Sequence, residues 1–214
     1  MPVRYALWKR QLLNAGAIAI SYIKLIPDWF RLGKADLVLD CGANIGLITR
    51  YLATTGAHII AFEPDPRAFA LLKKRCGHLP NVTLRNEGVW DKQDLLPLFD
   101  HADGKEEEAA FTVGSSLIAE KKNIDLSRSR QVPLIDLIQF IQTQPKRISL
   151  IKLDVEGAEI AILQKIIREK AWTHFDRMYV ETHETKIPEQ GPALQAIRSE
   201  LKANQVTHIK LNWV

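Results

Sequence analysis

The sequence predicts an α/β fold, a mostly parallel β-sheet covered by helices on both faces. Three observations carry that reading. From residue 35 onward, short apolar runs alternate with amphipathic stretches, which is the rhythm of β–α–β units. The first apolar run ends in a glycine-bearing turn (LVLDCGANIG, Leu37 to Gly46). The second ends in an acid, Glu63, and the two together mark a sheet edge that binds a nucleoside. Composition agrees, since 214 residues with 46% hydrophobic and 25% charged side chains suit one globular domain with an appendage. That balance excludes disordered, collagen-like and disulfide-scaffold chains. Cys41 and Cys76, the two cysteines, make neither a disulfide framework nor a zinc site, so a reducing, cytoplasmic setting is expected.

Taken in order, Leu37–Leu39 is a buried strand, residues 45–54 are a helix and His58–Phe62 is a second strand. Asp65 and Pro66 form an N-cap and an N1 proline for a helix reaching about Cys76, and Val82–Arg85 is a third strand. Later come a strand over Ile148–Leu153, a helix over 158–168 and a strand over Arg177–Glu181. A helix over 188–203 and a strand over Val206–Leu211 close the series. The rhythm breaks between Asn86 and Arg147. There Leu95–Phe99, a charged turn over 100–108, Phe111–Ile118 and Val132–Ile135 read as an inserted β-hairpin or small subsheet, followed by a helix from Asp136. Additions of this kind on the carboxyl side of an α/β sheet shape substrate pockets.

Residues 1–34 stand apart from the domain over 35–214. They hold Arg4, Lys9, Arg10, Lys24, Arg31 and Lys34 against Asp28, a surplus of five positive charges in a chain whose net charge is +4. The body is therefore close to neutral and lacks a basic face that could track phosphates, so nucleic acid is not expected as a partner. Trp8, Leu12, Ala15, Ala19, Tyr22, Ile26 and Trp29 recur at alternating spacings of four and three. This is one stripe of an amphipathic helix, which Pro27 should end or kink. The charge-free run over 11–23 is shorter than the roughly 20 residues that cross a bilayer. Preceded by Lys9 and Arg10 it imitates a signal peptide, a reading set aside because an intracellular type of cofactor enzyme follows. The appendage is expected to act as a lid or brace, or as an interfacial or partner-binding helix whose cations meet an anionic surface.

The chemistry is concentrated at strand ends. Asp40 closes the first strand, Gly42 makes a tight turn, and Gly46 opens a helix whose N-terminus faces the ligand. A dinucleotide turn would need glycine where this chain has Asn44. That side chain argues against a pyrophosphate, and so against a nicotinamide-dependent oxidoreductase. Glu63 is placed to accept hydrogen bonds from both hydroxyls of a ribose. Turn and acid together imply a nucleoside-bearing ligand with a cationic part.

The segments DCGANIG (40–46), FEPDP (62–66) and IKLDVEGAE (151–159) resemble the three hallmark segments of the FkbM-type methyltransferases, class I enzymes dependent on S-adenosylmethionine. The likeness runs from about Leu37 to Thr182 and takes in NEGVWD (86–91) and VPLID (132–136). The resemblance implies a Rossmann-like class I methyltransferase fold with a seven-stranded sheet, whose one antiparallel strand would be Val206–Leu211. It also implies that Asp40, Gly42, Ala43, Asn44 and Gly46 hold the methionine part of S-adenosylmethionine. Glu63, with Pro64 beside it, would hold the ribose, and the stretch from Asn86 through Glu87, Gly88 and Val89 would line the adenine. Asp154 would lie near the transferable methyl, with Glu156, Gly157 and Glu159 turning into the next helix.

A hydroxyl acceptor must lose its proton during methylation, so a carboxylate or imidazole within reach helps. Asp154, Glu156 and the run Glu181 to Glu184 end neighbouring strands, and His183 is the preferred general base with Asp154 as the alternative. Asp154, Glu156, Glu181 and Glu184 are weighed as a magnesium site and placed second, because such a site needs a convergence that sequence does not display. The expected activity is O-methylation of a sugar, glycan, polyketide or related metabolite, and the competing reading is a catalytically silent cofactor-binding scaffold acting through the N-terminal helix. Methylation of nucleic-acid bases is disfavoured, because Asp154 is followed by Val-Glu-Gly instead of a Pro-Pro-aromatic turn. Cys41 and Cys76 read as small buried residues, and Trp172 and Phe175 as caps of the core.

Overall fold

The computed structural model describes residues 16, 18–101, 124–184 and 187–213. Its strands are β1 (Leu37–Cys41), β2 (His58–Phe62), β3 (Val82–Arg85), β4 (Gly88–Trp90), β5 (Asp94–His101), β6 (Ile124–Asp136), β7 (Leu150–Leu153), β8 (Met178–Val180) and β9 (Ile209–Lys210). Helix α1 covers residues 18–29. It is followed by α2 (Leu47–Ala53), α3 (Pro66–Cys76), α4 (Leu137–Gln142), α5 (Glu159–Arg168) and α6 (Gly191–Ala203).

Every residue of β1 is buried, because β2 and β7 flank it in parallel, with Val38 opposite both Ile59 and Leu150. A strand covered on both faces and both edges requires a nearly continuous apolar sequence, which LVLDC supplies. Alternate side chains serve two cores. Leu39 packs with Phe62, Ile138, Ile162 and Phe175 on one face, and Val38 with Leu25, Leu52, Ile59 and Trp213 on the other. The sheet order is β3-β2-β1-β7-β8-β9. The chain thus runs outward from the centre through β3, then returns to the far side of β1. In a doubly wound sheet, the crevice at the carboxyl ends of the strands beside that switch point is where ligands bind.

The sheet is mostly parallel with helices, as expected, but in the described residues it holds six strands, all parallel, where seven with one antiparallel were expected. Val206–Leu211 contributes only Ile209 and Lys210, which run parallel to Met178 and Tyr179. The connection explains the direction. Helix α6 lies between β8 and β9 and carries the chain back across the sheet, so the next strand starts from the same edge.

The helix starts follow their local signals. The Asp65 side chain accepts from the Arg67 amide with Pro66 at the first helical position, and Asp136 accepts from the amides of Ile138 and Gln139. The insertion is a three-stranded sheet of order β4-β6-β5, in which β6 pairs antiparallel to β5 and parallel to β4. Leu95–Phe99 and Val132–Ile135 lie inside longer strands than expected, and Gly88–Trp90 joins as a strand of its own. Phe111–Ile118 and most of the expected charged turn fall outside the described residues. Arg130 of β6 reaches Asp65 at 3.0 Å and ties the small sheet to the start of α3.

Helix α1 continues to Trp29, two residues past Pro27. Its inward face is Ser21, Leu25 and Asp28. The Asp28 carboxylate receives hydrogen bonds from Arg177 (2.7 Å) and the Tyr179 hydroxyl (2.8 Å), while Trp29 Nε1 donates to Thr54 Oγ1 at 2.8 Å. Ala19 and Ile26, members of the expected stripe, face outward. Periodicity marks the apolar positions but not the side that is buried; the Asp28 anchor decides that. Trp8, Leu12 and Ala15 of the expected stripe lie outside the described residues. Because Arg177 precedes β8 and Thr54 follows α2, α1 braces the amino edge of the sheet, away from the crevice. Replacing Asp28 by alanine strands a partly buried guanidinium and the Tyr179 hydroxyl. It should lower stability by about 1–3 kcal/mol, measured by urea unfolding.

Candidate functional site

The turn after β1 is built by backbone conformation. Gly42 and Gly46 sit at φ of 79° and 84°, and Asn44 at 49°, a left-handed region that asparagine tolerates better than most side chains. Gly42 is also where the two halves of the sheet touch, because a Cβ there would fall 1.8 Å from the Asp154 carbonyl oxygen. The amides of Gly42 and Ala43 both donate to the Phe62 carbonyl at 3.0 and 2.9 Å, which draws the turn against the end of β2.

Glu63 follows β2 and is 7% exposed. Its carboxylate accepts from the Asn44 amide at 2.7 Å and from the Asp65 amide at 2.8 Å. Burial pushes this carboxyl up to about 7, against the two amides that favour its charged form. Each oxygen keeps a further lone pair, so the group can still receive two hydroxyls. Asn86 closes the neighbourhood by donating to the carbonyls of Glu63 (2.8 Å) and Pro64 (3.2 Å). Of the expected adenine-lining residues, Glu87 pairs with Arg85 at 2.5 Å. Gly88 is covered by Leu134 and Pro64, while the Val89 side chain enters the main core.

At the switch point Asp40 stands opposite Lys152 across β1 and β7. The Lys152 ammonium is buried, lies 3.5 Å from Asp40 Oδ1 and 3.2 Å from Asp154 Oδ2, and donates to the Gly42 carbonyl at 2.6 Å. Burial works against its charge, but Asp154 and Asp40 outweigh that penalty and hold its pKa above the ordinary lysine value. Asp40 is fully buried and accepts from Thr49 Oγ1 at 2.6 Å, which fastens the turn to α2. Cys41 lies beside this network with its thiol pushed up, first by burial and then by Asp40. A thiol so disfavoured as thiolate is a packing residue.

The turn after β7 is wrapped around a buried acid. Glu159 opens α5 and accepts from the amides of Val155 (2.9 Å) and Gly157 (2.8 Å), a carboxylate where the helix N-terminus favours negative charge. Glu156 is held at φ 58°. His183, 2% exposed, presents Nε2 to Glu156 at 3.1 Å and Nδ1 to Glu159 at 3.1 Å, with Glu181 at 3.6 Å. Burial disfavours the charged ring, but the carboxylates on both nitrogens outweigh it and push His183 up to about 10. This placement speaks against the expected role of His183 as general base, since a ring charged on both nitrogens has no lone pair with which to take a proton. Here it positions Glu156 and Glu159.

Asp154, Glu159 and His183 each offer a ligand atom within 4.8 Å of the others, a spacing that a cation could use. Glu159 is already engaged by two amides, and the imidazolium repels a cation. Glu184, from the magnesium set weighed above, faces Arg198 at 3.6 Å. The structure thus brings Gly42, Asn44, Glu63 and Asp154 to the carboxyl ends of β1, β2 and β7, with the buried Asp40 behind the turn and the buried His183 beside Asp154 and Glu156. Sequence reasoning missed Lys152 as the centre of that arrangement. Its signal was an acid and a lysine at corresponding places in two strands that become neighbours.

A parallel sheet with a glycine turn after β1 and a buried acid after β2 places the chain among the doubly wound α/β proteins. The family model described as Methyltransferase FkbM domain matches residues 40–206, and the chain belongs to this family of methyltransferases. It is 30% identical to "Methyltransferase 1" of Beauveria bassiana, over 71% of this chain and 66% of that protein, so it spans about two thirds of that relative's length. It is 28% identical to "Methyltransferase sdnD" of Sordaria araneosa, over 87% and 80% of the two chains. The solved FkbM methyltransferase of Methylobacillus flagellatus KT matches at 16% identity and a TM-score of 0.39, covering 64% of this chain and 30% of that one.

Lys152→Met should leave two acids facing each other without a cation, and lose about 3–5 kcal/mol in denaturant unfolding. For His183, a pKa raised above its unfolded value gives stability that is full below about pH 6.5 and is lost as pH rises through about 10. The ring C–H resonances should accordingly keep their imidazolium positions to about pH 9. The stability cost of His183→Gln should shrink over the same interval.

Proposed function

We propose that the protein is an S-adenosylmethionine-dependent O-methyltransferase acting on a hydroxyl of a sugar, glycan, polyketide or related metabolite. The observation that carries this reading is the link between the two cofactor elements, the Asn44 amide donating to Glu63 at 2.7 Å. One contact sets the methionine turn and the ribose acid at a fixed separation. When bound, S-adenosylmethionine supplies an electrophilic methyl group on a sulfonium centre. Glu63 accepts from the ribose hydroxyls, and the carboxylates of Asp40 and Asp154 complement the positive charge through the crevice field.

Asp154 is the group best placed to receive the acceptor's proton. It ends β7 beside the turn, its side chain is 25% exposed, and Lys152 fixes one of its oxygens. Glu156 faces the His183 imidazolium at 3.1 Å and is less available. A hydroxyl held in line with the methyl group gains most of its rate from alignment, and proton removal adds roughly a further 10²–10⁴.

Thermal shift with S-adenosylmethionine, S-adenosylhomocysteine and NAD tests the assignment: stabilisation by the first two is expected, and stabilisation by NAD alone would overturn it. Because the ionised Glu63 is the better acceptor for two hydroxyls, cofactor affinity measured by calorimetry should fall as pH is lowered through about 7. Glu63→Gln should remove that pH dependence together with most of the affinity. With a panel of hydroxyl acceptors, Asp154→Asn should reduce turnover by roughly 10²–10⁴ while cofactor affinity changes far less.

A further inference from the structure

Helix α1 has two faces with opposite character. Ser21, Leu25 and Asp28 point inward, as described. Each exposed residue from 18 to 30 is apolar: Ala19, Ile20, Ile23, Ile26, Pro27 and Phe30. Ile23 is 64% exposed and Phe30 77%, with Ile20 and Ile26 near half. At 100° per residue these six positions occupy one continuous sector about 120° wide, which is the apolar face of an amphipathic helix. A soluble domain rarely exposes a row of large aliphatic and aromatic side chains without a partner.

Charge identifies the partner. Arg31 and Lys34 follow the helix and are exposed, and the sequence of residues 1–34 carries six basic side chains against one acid. That one acid, Asp28, is buried and engaged by Arg177. A wholly apolar stripe thus stands beside the exposed cations Arg31 and Lys34, in a segment whose sequence holds a positive surplus, the two requirements of a helix that lies in the interface of an anionic bilayer. Among the described residues no helix is long and apolar enough to cross a membrane, so the helix would lie on the surface. We propose that the outward face of α1 docks the protein onto anionic lipid, inserting Ile20, Ile23, Ile26 and Phe30 while Arg31 and Lys34 meet the headgroup phosphates.

Co-sedimentation of the full chain with vesicles of phosphatidylglycerol and phosphatidylcholine (3:7), against phosphatidylcholine alone, is the test. Binding should be confined to the anionic vesicles and weaken as salt rises from 0.1 to 0.5 M, with the Debye length shrinking to a few ångströms. Ile23→Glu with Phe30→Glu should reduce the partition coefficient by at least about tenfold, because apolar area is removed and negative charge added. Thermal unfolding of that variant should stay near wild type, since both side chains are exposed. Failure of the wild type to bind the anionic vesicles overturns the proposal, as does binding that the double variant retains. Lipid-free dimerisation of the wild type, abolished by the same substitutions, would assign the face to a second copy of the chain and would overturn it equally.

Discussion

Lys152 lies where the two halves of the sheet meet, and an isolated ammonium buried there would be strongly unfavourable. Its place between Asp40 and Asp154, with the Gly42 carbonyl as a further acceptor, turns that cost into a constraint. Moving β1 relative to β7 would separate the cation from an acid and leave both desolvated. The register of the central strands, the path of the turn after β1 and the direction of the Asp154 side chain are therefore coupled. The missing Cβ of Gly42 is part of the same arrangement, since only glycine lets that turn approach the Asp154 backbone.

The remaining charges of the crevice follow the same logic in a low-dielectric setting, where partnered groups are held rigidly and unpartnered ones are costly. Glu159 supports the turn after β7 through two amides, and His183 joins it to Glu156, which occupies a left-handed conformation that a free glutamate would seldom adopt. Glu63 is the exception. Burial raises its pKa to about 7 in spite of two backbone donors, so it has capacity left for ligand hydroxyls. The site thus sets opposed charges, each within salt-bridge distance of a partner, beside one carboxyl whose charged form burial disfavours. Helix α1 sits at the opposite edge of the sheet, and its apolar stripe is separate from the carboxyl ends of the strands.

Much of the fold is legible in the chain because the relevant information is local. Runs such as LVLDC and HIIAF can be satisfied only as strands covered on both faces, and Asp65-Pro66 and Asp136 place helix starts by side-chain capping of their own neighbours. The three-residue strand Gly88–Trp90 has no such signature. It is a strand because β6 lies beside it, and β6 is supplied from more than thirty positions later. The direction of β9 is likewise set by the connection through α6 and not by the residues of Val206–Leu211. The buried side of α1, Ser21, Leu25 and Asp28, is not its most apolar side, and the choice falls to an aspartate that meets Arg177 and Tyr179 only in the folded chain.

By itself the sequence determined the α/β class, the glycine turn with its left-handed positions, the acid after β2, and the surplus of positive charge in the first 34 residues. Each depends on backbone preference, hydrophobic period or simple counting within a short window. Tertiary structure alone decided that Lys152 lies between Asp40 and Asp154, that His183 lies between two carboxylates, and which face of α1 looks outward. The physical reason is that charge state and burial are properties of contacts between distant residues, such as Lys152 and Gly42, 110 positions apart. No local pattern reports the dielectric in which a side chain will come to rest.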